Sequence, residues 1–188
     1  MKILAFAGSN SSTSINKELL KFTLRSFQGH RVEILDLNDF EMPIYSIDRE
    51  VDGIPVMAKQ FVELIEKSDA LIISLAEHNG RLSVALRNVI DWASRYNRGF
   101  LANKPIFLMS TSPGANGAKS VLRDGQEMFP YFKGNVVETF SLPEFYKNFD
   151  METGLLTNAA YKSQLDGILK NFKNELMVGQ AIMETISI

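Results

Sequence analysis

Five short apolar runs alternate along this chain with stretches of helical periodicity, and no other feature constrains the fold as strongly. The runs at 70–76 (ALIISLA) and 105–110 (PIFLMS) are almost continuously apolar, as expected for strands that are buried on both faces. Strands that alternate with helices favour a parallel sheet covered on both sides. The right-handed crossover rule then limits the layout to an α/β doubly wound sandwich. The predicted strands are 2–7, 31–37, 70–76, 105–110 and 135–141.

The stretches between and after these runs predict five helices. The pattern from Leu82 to Ala93 fits the i, i+3, i+4, i+7 template best. The helix near 117–130 is interrupted by Gly125 and Pro130. Two long irregular connections, 38–55 and 140–156, remain, and loops of this length are more often functional than idle. The apolar positions of the other three helices lie within 19–27, 57–65 and 165–176.

Composition removes several classes of protein. The chain has 188 residues, of which 45% are hydrophobic, so we expect one domain over 1–188 with a C-terminal tail at 178–188. It contains no cysteine, which excludes disulfides, thiolate nucleophiles and Cys-based zinc sites. Only two histidines are present, so no metal site is expected. A net charge of −2 gives no reason to expect a nucleic acid or a membrane surface as partner. A cytoplasmic protein is predicted, because no apolar run approaches the ~20 residues of a membrane span.

The first strand leads into a segment rich in hydroxyl groups, GSNSSTSIN at 8–16, with no charged side chain before Lys17. At a strand-to-helix junction the backbone N–H groups and the helix N-terminus favour an anion. Neither G-x-G-x-x-G nor G-x-x-x-x-G-K is present, so a mononucleotide phosphate fits better than a dinucleotide pyrophosphate. The simpler alternative is a helix cap and a turn. The candidate phosphate residues are Ser9, Ser11, Ser14, Ile15 and Asn16.

Two more unusual loops follow the third and fourth strands. Segment 76–80 (AEHNG) is polar, and segment 110–120 (STSPGANGAKS) contains two glycines, which let a backbone pass close to a flat ligand. Each loop alone is an ordinary turn. In the strand order 2-1-3-4-5, however, both lie with the first loop near the point where the order reverses, and α/β sheets bind ligands there. The phosphate of FMN would then lie on 8–16 and its ring between the other two loops, near Ala76, Glu77, His78, Asn79, Ser110, Thr111, Ser112 and Gly114.

Two motifs in these loops resemble those of the NADPH-dependent FMN reductase family, which includes quinone, chromate and azo reductases. The family's first loop reads G-S-x-R-x-x-S-x-N, and the chain matches it at Gly8, Ser9, Ser14 and Asn16. The family's second motif reads P-E-Y-N and then L-K-N-x-x-D-W. The chain has Ala76-Glu77-His78-Asn79, then Leu86-Arg87-Asn88 and Asp91-Trp92.

The resemblance covers roughly residues 2–139 and includes three departures from the family pattern. Ser11 stands where the family has an arginine, so phosphate binding would rely on hydroxyl and backbone groups. Ala76 and His78 stand where the family has a proline and a tyrosine. These departures alter the expected surroundings of the flavin more than the expected fold.

This resemblance implies a flavodoxin-like fold, with a five-stranded parallel sheet of order 2-1-3-4-5 and helices on both faces. It also implies an FMN-dependent oxidoreductase that takes electrons from NADPH or NADH and passes them to a small-molecule acceptor such as a quinone or free flavin. Because the flavin carries the redox chemistry, we expect a ping-pong cycle with no catalytic side chain. N–H groups from 111–117 are expected to stabilise the charge of reduced flavin, and His78 is the candidate modulator.

Two alternatives to this enzyme remain open. The first is a non-enzymatic electron carrier of flavodoxin type, although such carriers tend to be strongly acidic and this chain is only mildly so. The second is a binding or regulatory module that has kept the fold and lost the flavin, which the missing arginine suggests. In either case the fold prediction is unchanged.

Members of the resembled family are commonly dimers or tetramers, and a homodimer or homotetramer is predicted here as well. The C-terminal tail supports this prediction because its side chains are too apolar to be left wholly in water. The apolar residues of the tail are Ile182, Met183, Ile186 and Ile188.

Several charged residues and the single tryptophan have simple structural explanations. Arg87, Asp91 and Arg95 are spaced i, i+4, so solvated pairs on one helix are expected. Trp92 is expected at a core edge or a subunit contact. Arg81 could meet a coenzyme phosphate, but a solvated surface position is the favoured reading.

Overall fold

The computed structural model describes residues 1–186, with side chains up to residue 181. Its strands are β1 (Lys2–Gly8), β2 (Arg31–Leu35), β3 (Ala70–Leu75), β4 (Glu77–His78), β5 (Arg81–Leu82), β6 (Pro105–Thr111), β7 (Asn135–Leu142), β8 (Phe149–Asp150) and β9 (Leu155–Leu156). Five of them form one parallel sheet in the order β2-β1-β3-β6-β7. This order confirms the predicted 2-1-3-4-5 layout of a flavodoxin-like fold, and it reverses between β1 and β3.

Helices cover both faces of the sheet, as predicted. They are α1 (Ile15–Leu24), α2 (Ile47–Glu50), α3 (Val56–Glu66), α4 (Val84–Tyr96), α5 (Lys119–Met128), α6 (Phe145–Asn148) and α7 (Ala159–Ile186). Short 3₁₀ helices lie at Arg25–Phe27, Leu37–Phe40 and Phe129–Phe132.

Successive strand residues point to opposite faces of the sheet, so the protein has two hydrophobic cores. Leu4 and Phe6 of β1 pack with α3, α4 and α5 on one face. Ile3 and Ala5 pack with α1 and α7 on the other face. All residues of β3 are buried, which explains why its sequence is apolar without interruption.

A β-hairpin takes the place of the start of the helix predicted from Leu82 to Ala93. Asn79 and Gly80 both have positive φ, 53° and 74°, the geometry that Asn-Gly favours in a two-residue turn. The turn pairs His78 with Arg81 across β4 and β5. Ser83 then caps α4 by accepting the Leu86 N–H at 3.2 Å. The prediction that Leu82 belongs to the helix was therefore wrong, because the turn places this residue in β5.

The helix expected near 117–130 forms as α5, although it is shorter. Pro130 lies in the 3₁₀ helix that follows it. Gly125 is buried within α5, and a Cβ atom there would lie 2.8 Å from Leu75 Cδ1 and 3.1 Å from Leu108 Cδ1. Glycine at this position therefore lets α5 approach the sheet closely, which offsets its low helix propensity.

The C-terminal helix α7 is longer than expected. Gly179 lies inside α7 rather than at the start of a separate tail. The side chains of Ile182, Met183, Ile186 and Ile188, on which the prediction of assembly rested, lie outside the described residues. Within the described part of the chain, no helix has both the length and the hydropathy needed to cross a membrane.

Candidate functional site

The carboxyl ends of β1, β3 and β6 surround a cavity of about 240 Å³, which we call the switch-point cavity. It lies beside the reversal of strand order, where open α/β sheets bind ligands. The three predicted loops meet there. Its lining residues are Ser9, Ser11, Thr13, Ser14, Ile15, Asn16, Ala76, Glu77, His78, Thr111, Ser112, Pro113 and Tyr146.

The first loop presents hydroxyl and N–H donors to this cavity. Ser14 caps α1 by accepting the Lys17 N–H at 3.3 Å, and the N–H groups of Ile15 and Asn16 at the start of the helix have no intrahelical acceptor. Ser9 is buried, and its Oγ accepts the Ser11 N–H at 3.2 Å. A hydroxyl that accepts a hydrogen bond keeps its own O–H to donate. The loop thus offers several neutral donors to an anion.

No cation supplements these donors. Among the described residues that line the cavity there is no Lys or Arg. The Lys17 ammonium, which follows the loop, lies 2.6 Å from the Asp36 carboxylate instead. The hydrogen bond from Lys17 is the main reason why the pKa of Asp36 falls below its ordinary value of 3.8. An anion in the cavity would therefore be held by the dipoles of hydroxyl and backbone N–H groups and not by a cationic side chain.

Asn16 joins the first loop to β3 and to the third loop. Its Oδ1 accepts the Ser74 Oγ–H at 2.9 Å and the Thr111 N–H at 3.2 Å. Its Nδ2 donates to the Thr111 carbonyl at 3.4 Å. These bonds tie the start of α1 to β3 and to the end of β6, and they engage most of the amide. A direct contact between the Asn16 side chain and the cofactor stays a prediction.

The second loop fixes its polar residues in different ways. Ala76 is buried, and the Glu77 carboxylate accepts the Val121 N–H at 3.3 Å in the first turn of α5. Favourable interaction with a helix N-terminus explains this position of a carboxylate. His78 is exposed on the wall of the cavity, at the end of the hairpin.

Ser110, Asn79 and Gly114 do not line the cavity, although the sequence suggested them. Ser110 is fully buried, and its Oγ donates to the Gly117 carbonyl at 2.8 Å. Its hydroxyl therefore holds the third loop in place from the buried side of that loop. Asn79 lies in the hairpin turn. The Gly114 carbonyl accepts the Glu144 N–H at 3.0 Å.

Tyr146 lines the cavity and was missed from the sequence, whereas Pro113, which also lines it, belongs to the predicted third loop. Two backbone hydrogen bonds hold the residues just before Tyr146 against the third loop. The Glu144 N–H donates to the Gly114 carbonyl at 3.0 Å, and the Phe145 N–H donates to the Ser112 carbonyl at 3.1 Å. The Tyr146 side chain is 64% exposed. The long connection 140–156 was a signal for this region, but it could not show which side chain reaches the site.

The charged residues near the site and the single tryptophan were expected to have structural roles, and the structure shows such roles for them. Arg87 pairs with Asp91 at 3.1 Å, and the exposed Arg81 lies 3.5 Å from Asp124. Trp92 is only 1% exposed, and its Nε1 donates to the Pro43 carbonyl at 2.7 Å. It packs in the core of its own chain, so of the two positions expected for Trp92 the structure shows packing in the core.

The residues present fit FMN. A cradle of hydroxyl and N–H donors suits a terminal phosphate, and residues of the second and third loops, among them His78 and Ser112, line the same cavity. The phosphate would be held by the first loop, and the ring would lie between the second and third loops.

Comparison with known proteins agrees with this site. The family model for NADPH-dependent FMN reductase matches residues 1–147, which contain every lining residue of the cavity. An NADPH:quinone oxidoreductase of Arabidopsis thaliana is 31% identical over 125 residues, covering 64% of this chain and 62% of that protein. An NAD(P)H-dependent FMN reductase of Pseudomonas aeruginosa is 31% identical over 118 residues, covering 62% and 63%. These matches thus span less than two thirds of either relative.

Solved structures show the same fold. The flavoenzyme NAD(P)H:(acceptor) oxidoreductase FerB from Paracoccus denitrificans superposes with a TM-score of 0.73 at 24% identity, covering 94% of this chain and 97% of that one. The azoreductase AzrA superposes with a TM-score of 0.64 at 15% identity. Because the family model covers most of the chain, including the three loops of the switch-point cavity, the chain belongs to the NADPH-dependent FMN reductase family.

Proposed function

We propose that this protein is an FMN-dependent NAD(P)H oxidoreductase that passes electrons to a quinone, free flavin or similar small acceptor in a ping-pong cycle. One observation carries the proposal: three loops meet in a single cavity at the switch point, and its donors are neutral hydroxyl and N–H groups. The family to which the chain belongs implies FMN as cofactor and NAD(P)H as electron donor. A cytoplasmic location stays a prediction.

The protein's own groups have defined tasks in this proposal. FMN, when bound, would supply the hydride and electron transfer. Ser9, Ser11 and Ser14 would bind the phosphate through their hydroxyls, with the N-terminus of α1 behind them. Within 111–117, the N–H groups of Thr111 and Gly117 already bond Asn16 and Gly114. The other N–H groups of this segment would face the negative charge that reduction adds. No side chain is asked to act as nucleophile, acid or base.

The test begins with the purified chain of 188 residues. We expect a yellow protein that releases FMN on denaturation and oxidises NADH or NADPH steadily with a quinone present. Initial rates at several concentrations of coenzyme and quinone should give parallel double-reciprocal lines. Intersecting lines would contradict the ping-pong cycle.

The two alternatives give different results in the same experiment. A flavodoxin-type carrier would bind FMN but would need a partner reductase for steady coenzyme oxidation. A module that has lost the flavin would be colourless and would remain so after incubation with FMN and desalting. Either outcome would overturn the proposed function.

We also propose that the protein assembles as a homodimer or homotetramer. The end of α7 supports this proposal, because Met177 and Val178 are both more than half exposed there. The sequence that follows them continues with apolar residues at 182, 183, 186 and 188. A helix end of this composition gains free energy when another subunit covers it.

A further inference from the structure

A second cavity of about 370 Å³ adjoins the switch-point cavity, and His78 lines both. We call it the β2-side cavity. One wall is the segment that follows β2, residues 37–44, and another is the first turn of α4, residues 84–88. Asn10 from the first loop completes the lining beside His78. A ligand that extended past His78 would therefore enter this cavity from the proposed flavin site.

The walls of the β2-side cavity are held in place by buried groups. Leu37, Phe40 and Met42 belong to the hydrophobic core. Asn88 Oδ1 accepts the Tyr45 N–H at 2.8 Å, and its Nδ2 donates to the Met42 carbonyl at 3.0 Å. These contacts fix the segment after β2 against α4. The cavity is thus a built feature of the fold.

Three polar side chains of this lining have no hydrogen-bond partner among the described residues: Asn10, Glu41 and His78. Glu41 is exposed, and it is the one formally charged residue in the described lining. Asp36 lies closer to the end of β2, but it is already bonded to Lys17 at 2.6 Å and to the Asn38 side chain at 2.8 Å. Glu41 is therefore the carboxylate that a ligand in this cavity would meet.

We propose that the β2-side cavity takes the adenosine half of NADH and that Glu41 makes the protein prefer NADH to NADPH. This inference rests on the proposed function. A carboxylate can accept hydrogen bonds from the ribose hydroxyls of NADH, whereas an arginine is what accommodates the 2′-phosphate of NADPH. A phosphate monoester carries a charge of about −1.5 to −2 at neutral pH. Glu41 therefore attracts the ribose of NADH and repels that of NADPH.

Among the described residues, no arginine lines the β2-side cavity itself. Arg49 is bonded to it, because its Nη1 donates to the carbonyl of the lining residue Ile44 at 2.7 Å. Arg81 and Arg87 line a different cavity, between α4 and α5. They face Asp124 at 3.5 Å and Asp91 at 3.1 Å. Neither of them lines the β2-side cavity.

Binding of redox-inert fragments tests the inference without any turnover. Calorimetry on the FMN-loaded protein would compare ADP-ribose with its 2′-phosphate. We expect ADP-ribose to bind about tenfold more tightly, the lower end of what hydrogen bonds to a charged group contribute. Glu41→Gln should weaken the binding of ADP-ribose by about this factor. The variant should then bind ADP-ribose and its 2′-phosphate with similar affinity.

Asp39→Asn is the matched control, because Asp39 is an exposed acid two residues away that lies outside the lining. It changes the net charge as Glu41→Gln does, so we expect the wild-type discrimination to persist. Equal effects of the two substitutions, or equal or tighter binding of the 2′-phosphate by the wild type, would overturn the inference.

Steady-state kinetics separate this inference from the function on which it rests. We expect kcat/KM to be higher for NADH than for NADPH in the wild type, and Glu41→Arg should reverse the order. Efficient turnover with NADPH preferred in the wild type would overturn the inference and leave the reductase function intact. Turnover of neither coenzyme would instead overturn the proposed function.

Discussion

The side-chain amide of Asn16 bonds both backbone groups of Thr111, accepting its N–H at 3.2 Å and donating to its carbonyl at 3.4 Å, across 95 residues of sequence. This pairing holds the first loop against the third before any ligand binds. It also separates two roles that the motif GSNSSTSIN combines. Ser9 faces the cavity as a donor, whereas Asn16 mainly joins the loops.

We expect Ser9→Ala with Asn16→Ala to weaken FMN binding by about 2–4 kcal/mol, because hydrogen bonds to a charged group contribute about 1.5–3 kcal/mol each. The single variants should differ. Ser9→Ala should weaken the binding of FMN and leave the affinity for riboflavin unchanged, since riboflavin has no phosphate. Asn16→Ala should weaken both and should lower the free energy of unfolding by about 1–3 kcal/mol, because Thr111 and Ser74 lose buried partners. Flavin fluorescence titration and urea unfolding measure these effects. Unchanged FMN affinity in the double variant would mean that the loop is only a helix cap.

His78→Phe should change how the potential of bound FMN depends on pH. His78 lines the switch-point cavity, and the protonated form of an imidazole would favour the extra negative charge of the reduced cofactor. We therefore expect the potential to rise more steeply in the wild type than in the variant as the pH falls from about 8.5 to 5.5. Redox titration of both proteins over this range is the measurement. Parallel curves would limit His78 to packing.

The Lys17–Asp36 pair should make a small contribution to stability that acid removes. The pKa of Asp36 is lowered in the folded protein, so its contribution is complete above the ordinary value of 3.8 and is lost as the pH falls through the lowered pKa. Since Asp36 is 43% exposed, we expect no more than about 1 kcal/mol. Urea unfolding at neutral pH and near pH 2 would compare the wild type with Lys17→Met. An equal loss of stability on acidification in both proteins would show that the pair contributes nothing.

Gly125→Ala should destabilise the protein by about 1–3 kcal/mol, because the new methyl group overlaps Leu75 and Leu108. The overlap should exceed the gain of about 1 kcal/mol in helix propensity. Gly167→Ala in α7 is the control, since no atom lies within 4 Å of its new Cβ. It should stabilise the protein by about 0.5–1 kcal/mol. A stabilised Gly125→Ala variant would mean that α5 can move away from the sheet at no cost.

Light scattering at micromolar concentration should give at least twice the 21.1 kDa mass of one chain. Removing residues 179–188 should shift the mass towards that of the monomer if the end of α7 forms the contact. A full-length protein that scatters as a monomer would contradict the proposed assembly.

Periodicity was enough to predict the sheet, because β3 and β6 are buried on both faces and no helix of their length would need to be so uniformly apolar. Leu82 was misplaced because the Asn79-Gly80 turn adds a hairpin that hydrophobic spacing does not report. An Asn-Gly pair between short polar and apolar segments is itself a hairpin signal. Local turn chemistry therefore took precedence over the helical pattern.

The site was predictable where its residues follow a strand directly, and less so elsewhere. Loop composition does not show which way a hydroxyl points, so Ser110 was placed in the site although it bonds to Gly117. Tyr146 reaches the cavity through bonds between two distant loops. No sequence spacing encodes such a contact.

The short hairpin that carries His78 has a thermodynamic consequence. One side chain forms part of the wall of both cavities, so a ligand that displaces it from one side alters the surface offered on the other. Coupling between two binding equilibria is reciprocal. The factor by which bound FMN changes the affinity for ADP-ribose must therefore equal the factor by which ADP-ribose changes the affinity for FMN, and His78→Ala would bring both factors towards one.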